Sequence, residues 1–218
     1  MLFIIHSTFR LRDMAHYSSA RLNEVFQEAI TQYHLLDEVS QAFAKPLYEE
    51  NSFDYLLYKK CWIDTVQWHL EDIIRDPSIN PEEAVHIKRK IDTSNQHRTD
   101  LVEAIDDYLY DQFKHKETKT EARINTESPG WALDRLSILN LKLYHWREEA
   151  LREDASEEHR QKAQNKLHIL MAQHDFLSRA IDGLLCDMEK GQVIAQPFKQ
   201  MKMYNDPETN PVLRALKR

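Results

Sequence analysis

The sequence predicts an all-α protein, a helical bundle of two antiparallel hairpins with an additional N-terminal helix. Apolar residues recur every three or four positions through most of the chain, which is the period of an amphipathic helix. The 218 residues include only 3 Gly and 7 Pro. These are too few for the tight turns of a β-sandwich, a barrel or a Gly-rich phosphate loop, so all-β and dinucleotide-binding folds are excluded.

The first two helices are bounded by prolines. The first begins at Ser19, and its apolar stripe continues to Phe43. We expect it to end before Lys45-Pro46, because proline disfavours helical geometry in the residue that precedes it. Ser52 is suited to cap the second helix, which should stop at Asp76-Pro77.

The third helix has the clearest start in the chain. Asn80-Pro81-Glu82-Glu83 combines a capping residue, a proline at the first helical position and two acids at the positive end of the helix dipole. Its apolar stripe extends to about Lys116. The charged stretch 117–126 has no helical period, and we expect it to be a loop that is open to proteolysis.

Two more helices follow. Ser128-Pro129 begins the fourth helix, Ser156 caps the fifth, and Gly191 occupies the place of a C-terminal glycine. The expected organisation has three parts. Residues 1–17 form a flexible segment, residues 18–191 form one bundle with hairpins 52–116 and 128–190, and residues 192–218 form an extended tail with a short helical turn after Pro211.

Composition limits the partners and the location of the protein. The net charge of −7 opposes broad binding to nucleic acid, which depends on Lys and Arg contacts to phosphates. Cys61 and Cys186 lie in amphipathic runs, as expected of reduced thiols in a cytoplasmic protein. No apolar stretch approaches the roughly 20 residues that span a bilayer, and residues 1–5 lack the basic leader of a signal peptide. Translation from Met14 would remove that apolar opening.

The chain contains a weak internal repeat with an offset of 76 residues, which indicates a possible duplication of one hairpin. The offset aligns the capping residues Asn80 and Ser156 and pairs His69 with His145. Both histidines lie on tryptophan-containing helices and are candidates for metal ligation or acid–base chemistry. No H-E-x-x-H pattern surrounds them, so we predict no metal site here.

Four core-facing positions differ in polarity between the two copies. The first copy has Lys60, Gln67, Asn95 and Arg98, where the second has Leu136, Leu143, Met171 and His174. Unpaired burial of such groups costs about 1–3 kcal/mol each, and more for charges. These side chains therefore form a satisfied buried network, line a polar ligand pocket, or lie on a different face. Asp64 and Glu71 flank Gln67 at helical spacing and could supply the acids.

A second set of residues is compatible with a hard cation. Glu103 and Asp106 form an E-x-x-D pair one helical turn apart, a spacing that can hold Mg²⁺ through carboxylate oxygens. The pair resembles half of the acidic signature of the all-α nucleotide pyrophosphohydrolases, which are magnesium-dependent. The preceding helix offers Glu71 and Asp72, followed by Arg75 where that family has a third carboxylate.

Two stretches carry a further resemblance. One runs from Cys61 to Asp72 and continues at Ile91-Asp92 and 95–98, and the other covers 125–139. Together they resemble a bacterial all-helical domain-of-unknown-function family (four-two-five-four). The resemblance implies an all-α cytoplasmic protein, sometimes encoded beside glycosyltransferases, with no assigned activity. Its motif positions are Asp64, Gln67, Asn95, Arg98, Asp134 and Arg135.

The favoured hypothesis is a non-catalytic binding or accessory protein, acting beside glycan-assembly enzymes and recognising a small anionic or sugar-like ligand or a protein partner. The predicted ligand-binding residues are Lys60, Asp64, Gln67, Asn95, Arg98, Asp134 and Arg135. The first alternative is a hydrolase of phosphate esters or nucleotides that binds Mg²⁺ through Glu71, Asp72, Glu103 and Asp106. The second is a scaffold homodimer, which would expose a large apolar face on the first helix.

Overall fold

The computed structural model describes residues 16–204 and 206–216, and in these ranges it contains six α-helices and no β-strand. The helices are α1 (Ser19–Tyr33), α2 (Phe53–Ile73), α3 (Pro81–Phe113), α4 (Pro129–Leu151), α5 (Glu157–Glu189) and α6 (Pro211–Ala215). The predicted all-α bundle is confirmed. Met14 and most of the predicted flexible segment 1–17 lie outside the described residues.

Two antiparallel hairpins form the body of the bundle. In the first hairpin, Asp64 of α2 contacts Arg98 of α3, and Gln67 of α2 contacts Asn95 of α3. Later residues of α2 therefore contact earlier residues of α3, which shows that the two helices are antiparallel. The second hairpin consists of α4 and α5. The bounds of α3, 81–113, become those of α5, 157–189, when 76 is added. Helix boundaries thus share the offset of the sequence repeat, and the duplication itself stays a prediction.

The predicted capping residues begin the helices as expected. The side chains of Ser52, Asn80 and Ser156 each accept a hydrogen bond from a backbone N–H in the first turn, at 3.3, 2.8 and 3.2 Å. Gly191 follows the end of α5 with φ of +65°. A Cβ atom at this position would lie 2.0 Å from the carbonyl oxygen of Glu117, so both the backbone conformation and the close approach require glycine.

The first helix is shorter than predicted, because α1 ends at Tyr33 and not near Phe43. Beyond it, Leu36 is exposed and Asp37 adopts the left-handed backbone region with φ of +54°. Val39 and Phe43 continue the apolar period, but they do so by packing on the first hairpin from an irregular connection. Apolar spacing alone does not distinguish such a segment from a helix.

The apolar face of α1 is buried and cannot serve as the exposed face expected of a scaffold dimer. Polar contacts fix its position on three other helices. The hydroxyl of Ser19 donates to Asp182 of α5 at 2.7 Å, Arg21 donates to Asp54 of α2 at 2.7 Å, and Asn23 accepts from Asn140 of α4 at 2.7 Å. The buried apolar residues of α1 are Leu22, Val25, Phe26, Ala29, Ile30 and Tyr33.

The C-terminal segment packs back on the bundle. Val193 is buried and forms an isolated parallel bridge with Arg123. Further along, Lys199 donates to Asp107 at 2.7 Å and Lys202 donates to the hydroxyl of Thr99 at 2.6 Å, so the segment follows α3. The short turn predicted after Pro211 is confirmed as α6. None of the described helices combines the length and the apolar character that a bilayer span requires.

The start of α4 is built around a buried carboxylate. Asp106 of α3 accepts hydrogen bonds from the hydroxyl of Ser128 and from the backbone N–H of Gly130. Burial raises the pKa of Asp106, and these two donors oppose the rise. A Cβ atom at Gly130 would lie 2.6 Å from Oδ1 of Asp106 and 2.7 Å from the carbonyl oxygen of Val102. Glycine is therefore required where α4 meets α3.

We predict that Gly130→Ala lowers the free energy of unfolding by about 1–3 kcal/mol, the usual cost of overpacking. The clash with Asp106 should outweigh the better helix propensity of alanine. Gly183→Ala is the matched control, because no atom lies within 4 Å of its added Cβ, and it should stabilise by about 0.5–1 kcal/mol. Urea unfolding measures both values, and equal effects would refute the close approach at Gly130.

Candidate functional site

A buried carboxylate at the centre of the first hairpin joins three helices. The side chain of Asp64 is 0% exposed, and Lys60, one turn earlier on α2, donates to it. Arg98 of α3 donates from Nε at 2.6 Å, and the hydroxyl of Ser137 of α4 donates at 2.6 Å. Three donors from α2, α3 and α4 thus satisfy one charge.

Asp134 of α4 is the second carboxylate of this network. It lies 2.7 Å from the ammonium group of Lys60 and 3.0 Å from the guanidinium of Arg98. Burial by itself would raise the pKa of Asp134, but the charges of Lys60 and Arg98 outweigh it and lower that pKa. Burial likewise disfavours the charge of Arg98, yet Asp64 and Asp134 raise its pKa above the ordinary value. Two cations therefore face two anions.

The amides predicted beside these charges also satisfy each other. Gln67 donates to Asn95 at 2.8 Å and accepts from the hydroxyl of Ser94 at 3.1 Å. Lys202 of the C-terminal segment donates to the carbonyl oxygen of Asn95 at 3.1 Å. The sequence left several interpretations of these polar side chains open, and the geometry favours buried groups that satisfy one another over an open polar pocket.

Arg135 does not belong to this network. Its side chain is 64% exposed and forms a surface ion pair with Glu127 at 2.5 Å. Of the seven predicted ligand-binding residues, four therefore form the internal charge network, two form the amide pair beside it, and one is a separate surface arginine. Lys60 and Arg98 are both paired with carboxylates inside the bundle, and their contact with a ligand stays a prediction.

The four carboxylates of the alternative magnesium site do not come together. Asp106 is used by the start of α4, Glu103 accepts from the backbone N–H of Gln200 at 2.9 Å, and Glu71 pairs with Arg75 at 2.8 Å. The pairing of Gln67 with Asn95 sets Glu71 beside residues near 91, twelve positions from Glu103. At 1.5 Å per residue this is a separation of about 18 Å. A single cation cannot bridge Glu71 and Asp72 to Glu103 and Asp106.

The matched histidines of the repeat do meet. His69 of α2 and His145 of α4 lie beside His34, the C-cap residue that follows α1. Sequence reasoning missed His34, because a helix expected to continue to Phe43 gave no reason for it to approach the other two.

An open cavity of about 590 Å³ lies between α2, α3 and the α1–α2 connection. It is distinct from the buried charge network, although its lining includes Ser94, which donates to Gln67 of the amide pair. Its walls are mainly apolar and aromatic. They include Val39, Phe43, Trp62, Ile63, Val66 and Leu70.

The polar part of the cavity is basic in a chain of net charge −7. Lys59 and the exposed Arg89 and Lys90 line it, together with His86 and His97, and none of its lining residues is acidic. Within the described ranges, Lys59, Arg89 and Lys90 form no ion pair. The sequence contained a signal for this basic surface, because residues 86, 89, 90, 93 and 97 share one face of α3. The negative net charge of the whole chain gave no indication of it.

We predict that Asp64→Ala lowers the free energy of unfolding by about 3–5 kcal/mol, because it leaves buried cations without their main partner. Arg135→Ala is the control from the same predicted set and should change it by less than about 1 kcal/mol, as expected of an exposed pair. Urea unfolding at neutral pH measures both. A small effect of Asp64→Ala would show that the network does not support the fold.

Residues 54–196 match the family described as "Protein of unknown function (DUF4254)". No curated protein gives a significant match. No solved structure gives one either. The matched range is more than half of the chain and contains both carboxylate centres, Asp64 and Asp106. The chain therefore belongs to the DUF4254 family.

Proposed function

We propose that the protein binds an anionic amphiphile, whose apolar part enters the cavity between α2 and α3 and whose negative group lies at its basic rim. The observation that carries this proposal is the combination of an apolar wall with three cations, Lys59, Arg89 and Lys90, that have no ion pair in residues 16–204 and 206–216. A volume of about 590 Å³ is within the range of about 300–1,000 Å³ typical of small-molecule sites.

The apolar wall supplies the attraction for the body of the ligand. Trp62 is 3% exposed and Leu70 is also 3% exposed, so the floor of the cavity belongs to the packed core and is rigid. Removing apolar surface from water contributes about 25 cal/mol per Å². A hydrocarbon chain or an aromatic group fits this environment, whereas a sugar would leave hydroxyl groups without partners.

The basic rim of the cavity, formed by Lys59, Arg89 and Lys90, supplies selectivity for a negatively charged ligand. Charged hydrogen bonds from Arg or Lys to a phosphate or carboxylate are shorter and stronger than neutral ones. Because Arg89 and Lys90 have no competing acid at the cavity, an anionic group would not need to displace an existing ion pair. The proposed ligand contacts therefore lie on the outer face of α3, and not at Lys60 and Arg98 inside the bundle.

The proposed role is binding without turnover by a cytoplasmic accessory protein. Lipid phosphates are one class of anionic amphiphile, and they suit a protein of a family that, as the resemblance implies, is sometimes encoded beside glycosyltransferases. The charge and shape of the cavity support the ligand class, and the sequence resemblance supports the cellular role.

We predict that decyl phosphate, below its micelle concentration, binds at least about 10-fold more tightly than decanol, measured by isothermal titration calorimetry. Arg89→Glu should weaken binding of the phosphate about 10-fold, or about 1.4 kcal/mol, and leave decanol binding unchanged. The exposed position of Arg89 makes the substitution compatible with folding.

Lys142→Glu is the matched control, because it changes the net charge equally at an exposed position of α4 outside the cavity. It should bind both compounds as the wild type does. Equal weakening by Lys142→Glu, or no binding of decyl phosphate at about 1 mM, would contradict the proposed site.

A further inference from the structure

A second candidate site lies where the end of α1 meets α2 and α4. His34, His69 and His145 each offer one ring nitrogen, and these atoms all lie within 4.8 Å of one another. The side chains are 8%, 20% and 18% exposed. The group is therefore held by the fold and remains accessible to a small ion.

The distances fit a tetrahedral metal centre. Zn–N bonds of about 2.0–2.1 Å at tetrahedral angles separate two nitrogens by about 3.3 Å. Nε2 of His34 and Nε2 of His69 are 3.2 Å apart. Oδ1 of Asp37 lies 3.4 Å from Nε2 of His69 and 3.9 Å from Nε2 of His34. Three corners of a tetrahedron are thus close to tetrahedral spacing, and the ring nitrogen of His145 lies within 4.8 Å of those of His34 and His69.

Hydrogen bonds orient the rings. Nδ1 of His34 lies 2.7 Å from the carbonyl oxygen of Ile30 and donates to it, which leaves its Nε2 lone pair directed at the group. Nδ1 of His145 faces a carboxylate oxygen of Glu148 at 3.3 Å. Nε2 of His145 is buried and has no hydrogen-bond partner among the residues that the structure describes. Histidine ligands in metal sites are commonly held by such a contact at the other ring nitrogen.

An aromatic ring stacks on each of the three imidazoles. Tyr33 stacks on His69 with ring centroids 5.1 Å apart and Tyr144 stacks on His34 at 4.1 Å. Trp68 stacks on His145 at 4.8 Å. Stacking restricts ring rotation, so less ordering is needed when a ligand binds.

The charges around the group favour a cation. The carboxylates of Asp37, Asp72 and Glu148 act on His69 or His145 from the surrounding surface. A divalent ion would find nitrogen ligands inside a negative environment.

We propose that His34, His69 and His145, with Asp37 as the fourth ligand, bind a divalent transition-metal ion. Three imidazoles and one carboxylate suit Zn²⁺ in tetrahedral geometry, and not Mg²⁺ or Ca²⁺, which prefer oxygen ligands. The site is separate from the cavity between α2 and α3, and the proposal does not depend on the amphiphile.

The test uses the full chain without an affinity tag. Titration with Co²⁺ should produce the visible absorption bands of tetrahedral cobalt, saturating at one equivalent, and Zn²⁺ should abolish them by displacement. Absence of saturable bands in the wild-type chain, with no binding of one equivalent of Zn²⁺, overturns the proposal and leaves a hydrogen bond between His34 and His69 as the role of the group.

Variants then assign the ligands. His145→Gln should weaken Zn²⁺ binding at least about 100-fold, more than the loss of a group that only hydrogen-bonds to a metal ligand costs, and Asp37→Asn about 10-fold. His168→Gln, at an exposed histidine of α5, should bind as the wild type does. Circular dichroism of the metal-free variants checks their folding. Retention of wild-type affinity by folded His145→Gln overturns the assignment, and if that variant does not fold, the wild-type cobalt titration decides.

Discussion

The buried carboxylate of Asp64 is the feature on which the arrangement of the bundle depends. Removing a charge from water costs several kcal/mol, and that cost is offset only when the group is paired and fully hydrogen-bonded. Lys60, Arg98 and Ser137 supply these bonds from α2, α3 and α4. Each of the three helices must therefore occupy one position and one rotation relative to the other two.

Asp106 applies the same constraint about two turns further along α3. It fixes the start of α4 through Ser128 and Gly130, so α3 and α4 are joined at two places by carboxylates. The two sequence stretches that resemble the family contain Asp64, Arg98, Ser128, Gly130 and Asp134. Their distinctive residues act mainly in holding these helices together, and the proposed binding sites lie outside the two carboxylate centres.

Local signals predicted most of the fold. The caps at Ser52, Asn80 and Ser156 act within one helical turn, so the sequence alone determines them. The predicted end of α1 was wrong, because the apolar residues Val39 and Phe43 keep a helical period although they pack on the bundle from an irregular connection. Only the tertiary contacts of this connection distinguish the two cases.

The sites were harder to predict for a related reason. Comparison of the two hairpins identified Lys60, Gln67, Asn95 and Arg98 as polar positions within the first hairpin, but polarity alone does not say whether such residues face a ligand or each other. The histidine group needs three helices to converge, and no spacing in the sequence connects His34 with His69. The connection after α1 contributes Asp37 to that group and Phe43 to the cavity, so both sites depend on the segment that was assigned incorrectly.

A double-mutant cycle on Asp64 and Arg98 tests the central claim most directly. Urea unfolding of Asp64→Ala, Arg98→Ala and the double variant gives the coupling energy between the two side chains. Residues in one buried network couple by about 0.5–3 kcal/mol, and a carboxylate that joins the helices should give a value of at least about 1.5 kcal/mol. Additive effects of the two substitutions would contradict the account, because they would show that Asp64 and Arg98 stabilise the bundle independently.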